Sequence, residues 1–329
     1  MDSVANAQQM SFETQVDATT LKVTNGAGLA FVESTWIPNG PCSYYYYTEH
    51  GISDVVVSQA GVIVVRRAGF YTGYFEIFFP KKTHTLADLA GTFNLLGTEL
   101  TSFDELIGHR YTGYTGSATI NSLGEISAFS KCTNQLNWDV SVCQNPVIGP
   151  KDIVFNIGGD GNFVMREGFT ADGRFTGGGR IQPYRSGNGD VMLFEYRMGG
   201  SFAFYTRQAV TNLPTIGARR TNLTLAINNN LTMPDRVNAS SNTITAINSL
   251  AGSWTRNQKT VGGTDDHPET LLANNPRIGY TFRAAGTALA IDGTTATIRE
   301  FTSLGLQGMG MSALLSPDRK QISLSVTQP

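Results

Sequence analysis

An all-β, antiparallel protein is what this sequence predicts, and three observations predict it. Turn dipeptides that tolerate positive φ recur at Asn25-Gly26, Asn39-Gly40, Asp160-Gly161, Asp172-Gly173, Asn188-Gly189 and Asp292-Gly293. Runs rich in β-branched and aromatic residues flank several of them, as in Gly61–Arg66, Phe70–Phe79 and Asp190–Arg197. Long amphipathic stretches of the kind that connect parallel strands are missing. Strand, turn, strand at spacings of about 8 to 16 residues is the pattern of antiparallel meanders, barrels and sandwiches.

Composition agrees. Charged residues make up 15% of the 329 residues, where about 25% is usual. Gly, Thr, Ser and Asn take their place, residues suited to turns and to the polar faces of sheets. A hydrophobic fraction of 40% supplies a sizeable core, and the length allows two or three domains.

The chain begins Met-Asp-Ser-Val-Ala-Asn, which has neither the basic nor the apolar region of an export signal; the expectation is that such a signal has been removed. Residues 1–84 read as an N-terminal β domain ending at the Pro80-Lys-Lys-Thr-His84 break. Within it Val55–Val65, the most apolar region, is interrupted by Ser58, Gln59 and Gly61 and reads as two strands and a turn. No stretch reaches the roughly 18 to 20 apolar residues of a membrane-spanning helix. Tyr44, Tyr45, Tyr46 and Tyr47 are consecutive, so a strand would send Tyr44 and Tyr46 to one face and Tyr45 and Tyr47 to the other. One pair then suits a core and the other a contact surface for protein or glycan. Strand propensity alone also accounts for tyrosines here.

Two short helices are expected, Thr85–Ala90 with Thr85 as its cap, and Asp266–Ala273 with Asp266 as cap and Pro268 in the first turn. One internal repeat stands out: Leu89-Ala-Gly-Thr-Phe93 recurs as Leu250-Ala-Gly-Ser-Trp254. Residues 85–210 read as a barrel section opened by the first copy. Residues 211–245, rich in Asn, Thr and Ser and carrying sequons at Asn222, Asn230 and Asn238, read as a connection. Residues 246–329 form a C-terminal β section that either completes the first barrel or builds its own.

Three cysteines are present, Cys42, Cys132 and Cys143. The last two have ten residues between them, and a hairpin there brings their Cα atoms within disulfide reach. No C-x-x-C spacing or neighbouring histidine suggests metal or redox work. A structural disulfide Cys132–Cys143 implies a periplasmic, outer-membrane-associated or extracellular location. Cys42 is left over as a free thiol or an external partner.

Catalytic signatures are wanting. A net charge of −2 and isolated basic pairs at Arg66-Arg67, Lys81-Lys82 and Arg219-Arg220 leave no footprint for nucleic acid. His50, His84, His109 and His267 stand singly, without metal-ligand spacing. Gly308-Met-Gly-Met-Ser312 lacks the second glycine of a nucleophile elbow. Gly158–Asn162 offers too few oxygens for calcium, and Gly177-Gly-Gly179 lacks the lysine and helix of a phosphate loop. Adjacent carboxylates at Asp104-Glu105 and Asp265-Asp266 fit capping or opposite strand faces better than acid–base work. No metal or cofactor is expected.

A short helix followed by Gly-x-Phe or Gly-x-Trp at the start of a meander resembles the entry motif of lipocalin-like barrels. The resemblance implies an aromatic residue at the closed end with an arginine of the last strand across it. Arg207 would serve Phe93, and Arg299 would serve Trp254. More of the chain resembles a group of uncharacterised exported or lipid-anchored bacterial envelope proteins. The matching pieces are Leu89–Asn94, the Cys132–Cys143 hairpin, Asn275–Tyr280, Gly308–Leu315 and Ile322–Val326. That resemblance implies the cell envelope and brings no activity with it.

The functional expectation is a non-catalytic binding protein of the envelope or extracellular space. It would hold a small apolar ligand in a barrel, or a partner protein or glycan on the tyrosine face. A structural subunit self-associating through strand edges, and a hydrolase with a dispersed site, are the alternatives.

Overall fold

The computed structural model describes residues 14–16, 22–25, 34–49, 51–67, 74–80, 84–104, 108–132, 151–155, 163–167, 179–197, 201–228, 238–260, 266–290 and 292–328. All sheets are antiparallel, as the turn pattern requires. Strands β1 (Thr14–Val16), β2 (Lys22–Asn25) and β3 (Ser34–Thr35) form a small sheet. Next comes a five-stranded meander of β4 (Ile37–Pro38), β5 (Ser43–Thr48), β6 (Gly51–Val57), β7 (Ile63–Arg67) and β8 (Tyr74–Phe78).

A single-turn 3-10 helix, Leu86–Leu89, follows where a helix is expected. The Thr85 backbone N–H donates to the Asp88 carboxylate (2.7 Å), which closes one side of a capping box. The chain then builds β9 (Gly91–Asp104), β10 (Gly108–Ile120), β11 (Ile126–Cys132), β12 (Lys151–Phe155), β13 (Phe163–Glu167), β14 (Gly179–Arg185), β15 (Val191–Arg197) and β16 (Phe202–Arg207). These eight strands are ordered β11-β10-β9-β16-β15-β14-β13-β12. The sheet is an up-and-down meander closed between β16 and β9, with no pairing between β11 and β12 among the described residues, a half-barrel.

A second meander closes fully. It comprises β17 (Arg219–Asn228), β18 (Asn238–Asn248), β19 (Ser253–Thr260), β20 (His267–Ala273), β21 (Tyr280–Arg283), β24 (Phe301–Leu306), β25 (Met311–Leu315) and β26 (Gln321–Thr327). A separate ribbon, β22 (Gly286–Leu289) with β23 (Thr295–Ile298), is inserted before β24. Residues 85–329 thus hold two barrel units, and closure through β26 against β17 leaves the second without edges.

Two sequence expectations are corrected here. Asp266–Ala273 is not a helix, because its residues alternate between buried and exposed positions with period two, Glu269 and Leu271 facing one way and Thr270 the other. A segment this short cannot hold a helix alone, whereas as β20 it pairs on both sides. Residues 211–245 are no connection either, since they supply β17 and most of β18. Their Asn, Thr and Ser content reflects a strand whose inner face is wet, while Leu223 and Leu225 on the other face are buried.

The three larger sheets share a central core. The outer face of the closed barrel (Leu304, Ala313, Leu324), one face of the half-barrel (Leu96, Phe194, Phe204) and one face of the five-stranded sheet (Val56, Val64, Ile77) belong to one apolar cluster. The far face of the half-barrel has its own core around Phe93, Leu193 and Tyr205. Tyr280 ties the barrels together: its buried hydroxyl donates to the Leu95 carbonyl (2.5 Å) and accepts from the Gly116 N–H (3.4 Å). Gly279 beside it has φ +88, and a Cβ there would stand 2.4 Å from Asn94 Nδ2, so the connection needs glycine both for its conformation and for the close approach.

Candidate functional site

The closed barrel encloses a lumen of about 1280 Å³. Alternation along each strand decides its chemistry. On β17, Leu223 and Leu225 point outward into the shared core, so Arg220, Asn222 and Thr224 point inward. On β26, Ile322, Leu324 and Val326 face outward and Ser323, Ser325 and Thr327 inward. The apolar face of this barrel is therefore its outside wherever it meets the other sheets, and its inside mixes polar and charged side chains with apolar ones such as Ile244, Trp254, Leu271 and Phe301.

Cross-strand register stacks the lumen residues in layers, since directly opposed residues share a face. One layer runs Arg220–Asn242–Gln258–His267 across β17 to β20. The next holds Ile244, Arg256 and Glu269. A third holds Trp254, Leu271, Arg283 and Phe301.

The second and third layers meet in an ion cluster. The Glu269 side chain is fully buried, and Arg256 Nε donates to its Oε1 at 2.5 Å. Arg256 Nη2 reaches the same oxygen at 2.5 Å, and Arg283 Nη1 takes the other oxygen. Arg283 Nε donates to the Arg299 carbonyl (2.8 Å), and its guanidinium lies 4.1 Å over the Phe301 ring. Burial pulls the Arg283 pKa down, with Glu269 opposing that shift. In the first layer, Asn242 is 3% exposed, and neither its Nδ2 nor its Oδ1 has a protein partner. Gln258 Oε1 is buried and equally unpartnered.

The residues singled out in the sequence fall in four places. Tyr46 is buried and Tyr44 packs on Trp36 (5.7 Å between centroids), while Tyr45 and Tyr47 pair edge-to-face on the other side, where Tyr47 is 67% exposed. Arg207 lies 6.0 Å over Phe93 and donates to the Asp88 (3.1 Å) and Ala90 (2.9 Å) carbonyls, anchoring the 3-10 helix to the end of the half-barrel. Trp254 and Arg299 both line the lumen of the other barrel. Their expected pairing is corrected: Arg299 is exposed, follows the ribbon and offers only its carbonyl, and the cation on an aromatic ring is Arg283 on Phe301. The repeat is not structurally equivalent either. Leu89 is buried before a first strand, whereas Leu250 is fully exposed in the turn before β19, the third strand.

Cys132 is buried at the end of β11, Cys42 is a free thiol, and Cys143 lies outside the described residues. His50 and the 158–162 and 177–178 glycine segments also lie outside them. Gly308 and Gly310 take positive φ in the turn between β24 and β25, and Ser312 lines the lumen. Among the described residues no three His, Cys, Asp or Glu side chains cluster as metal ligands, and no helix is long and apolar enough to cross a membrane.

A second buried carboxylate sits in the half-barrel. Glu195 accepts from the Tyr205 hydroxyl and from Arg197 Nε (2.5 Å) among apolar neighbours. Burial, with the Glu195 and Tyr114 charges, pushes the Tyr205 phenol well above the usual tyrosine range. The native state therefore keeps this proton where the unfolded phenol, from about pH 10 upward, loses it. Stability should fall as pH rises past about 10, because the native state then binds more protons than the unfolded one. Urea unfolding at about pH 8 and pH 11 should show the loss. Tyr205→Phe should make the slope shallower, and an unchanged slope would assign the effect elsewhere.

None of the first-layer or ion-cluster residues lies in a motif; Arg220 and His267 stand out in the sequence only as half of a basic pair and a lone histidine, and Asn242, Arg256, Gln258, Glu269 and Arg283 not at all. No protein-family model matches the chain, and no curated protein matches it. Among solved structures, it is similar to a protein of unknown function from the DUF3598 family of Nostoc punctiforme, at 10% identity over 74% of this chain and 97% of that one, with a TM-score of 0.22.

Proposed function

We propose that this is a binding protein whose closed barrel holds a small polar ligand. Asn242 carries the proposal: a nearly buried amide, both polar atoms unpartnered, facing a roomy lumen. Leaving a buried polar atom unsatisfied costs about 1–3 kcal/mol, so such groups persist where something else completes them. An apolar ligand, the expectation from lipocalin-like resemblance, would complete none of them. The unpartnered amides support the polar class.

Native mass spectrometry of the protein from its own host, with and without denaturation, tests this. A discrete bound mass should appear on the monomer and leave on unfolding. Ser325→Trp, a lumen-facing change on β26, should abolish it while the fold persists. Retention of the mass by that variant would remove the lumen as the site. A defined oligomer without bound mass would favour the assembly role.

The proposal includes an oxidising compartment outside the cytoplasm, supported by the Cys132–Cys143 spacing and by Cys42 being the free thiol of the two described cysteines. Alkylation of the unfolded, unreduced chain should label one thiol. Labelling of all three would return the protein to a reducing compartment.

A further inference from the structure

Resting on the reading of the lumen as a binding site, we infer that its ligand is a hydroxylated acid, with its carboxylate or phosphate on Arg256 and Arg283 and its hydroxyls on Asn242 and Gln258. The ion cluster places two guanidiniums against one carboxylate, so the cluster itself carries net positive charge. Glu269 occupies the Nε–Nη2 edge of Arg256 and one amino group of Arg283, and so holds both in place. Arg256 uses Nε and Nη2 on it, and Arg283 uses Nη1 on it and Nε on the Arg299 carbonyl. Among the described residues, Arg256 Nη1 and Arg283 Nη2 have no acceptor. Their side chains keep 20% and 16% of their exposure, and both line the lumen. Donors fixed in this way are suited to an anion's oxygens.

Charge alone does not complete the site. Asn242 Oδ1 and Gln258 Oε1 are acceptors without donors, and Asn242 Nδ2 is a donor without an acceptor. Asn242 and Gln258 are direct cross-strand neighbours, and Arg256 lies two residues along the strand from Gln258 on the same face. A hydroxyl both donates and accepts, so hydroxyl groups beside the acidic group satisfy all three atoms. A bare anion satisfies only the arginines. Among the other described charged residues that line the lumen, Arg220, Arg299 and Lys320 outnumber Glu300 and Asp318, a balance that favours anions.

Isothermal titration of the full chain with glucuronate, glucose 6-phosphate, glucose, inorganic phosphate and laurate tests the inference. Glucuronate or glucose 6-phosphate should bind at least about tenfold tighter than glucose or inorganic phosphate, as a charge-assisted contact added to the hydroxyl contacts requires; which of the two is tighter tells carboxylate from phosphate. Arg256→Gln should remove that advantage, bringing the acids down to the affinity of glucose. Should this variant fail to fold, raising salt from roughly 0.05 to 0.5 M on the unaltered protein should weaken the acids and spare glucose. Glucose binding as tightly as the acids, without salt dependence, would overturn the acid and keep the polar-ligand reading. Laurate binding alone would overturn both, and binding of no probe would overturn the hydroxylated acid.

Discussion

Asp54→Leu should destabilise the whole protein by about 3–5 kcal/mol, the cost of breaking a buried ion pair by removing one partner. Asp54 on β6 and Arg66 on β7 are direct cross-strand partners. Arg66 Nε and Nη2 reach Asp54 Oδ2 at 2.8 and 2.6 Å, and each side chain is 3% exposed. The pair shares its sheet face with Val56 and Val64, which belong to the core common to all three larger sheets. Loss of the pair there disturbs the centre of the molecule, not an appendage. Asp54→Leu combined with Arg66→Met should recover most of the loss, because apolar groups of similar volume need no partner. Urea unfolding followed by tryptophan fluorescence and by circular dichroism is the measurement. Coincident transitions would show the five-stranded sheet unfolding with the barrels. A mild effect of the single change, or an early separate transition, would show that the sheet stands apart.

Glu269→Leu should cost about 3 kcal/mol by the same argument, since it leaves Arg256 and Arg283 facing each other without a carboxylate. The setting differs from the Asp54 pair in one respect: this cluster opens on a lumen. An anion from solution can enter and stand where the carboxylate was. Melting temperature of the variant should therefore rise more in phosphate or sulfate than in chloride at equal ionic strength, and more than that of the unaltered protein. Equal responses of the two proteins would mean that the guanidiniums do not present themselves to ligands.

The two carboxylates also show why the polar lumen and the dry sheet read alike in sequence. Asp54 sits in a strand buried on both faces from Ser53 to Val56 and Glu269 in one that alternates, yet neither run of residues states that one carboxylate is sealed under a core and the other opens on a cavity. The difference is in what covers each face.

The all-β class, the antiparallel pairing and turns such as Asn188-Gly189 (φ +92 at the glycine) and Asp292-Gly293 (φ +84) were legible in the sequence, because turn chemistry and strand propensity act over a few residues. The division of Tyr44 and Tyr46 from Tyr45 and Tyr47 follows from strand geometry in the same way. The tertiary structure decided the rest. It made β17 and most of β18 from a segment that looks like a linker, and β20 from one that looks like a capped helix. It also set Arg256, Glu269 and Arg283, which come from three different strands, into one cluster. Alternation states that a strand has two unlike faces, but not which one is inside. When the half-barrel and the N-terminal sheet cover the apolar outside of a closed barrel, the polar face becomes the lumen, and only the packing of the three sheets determines that.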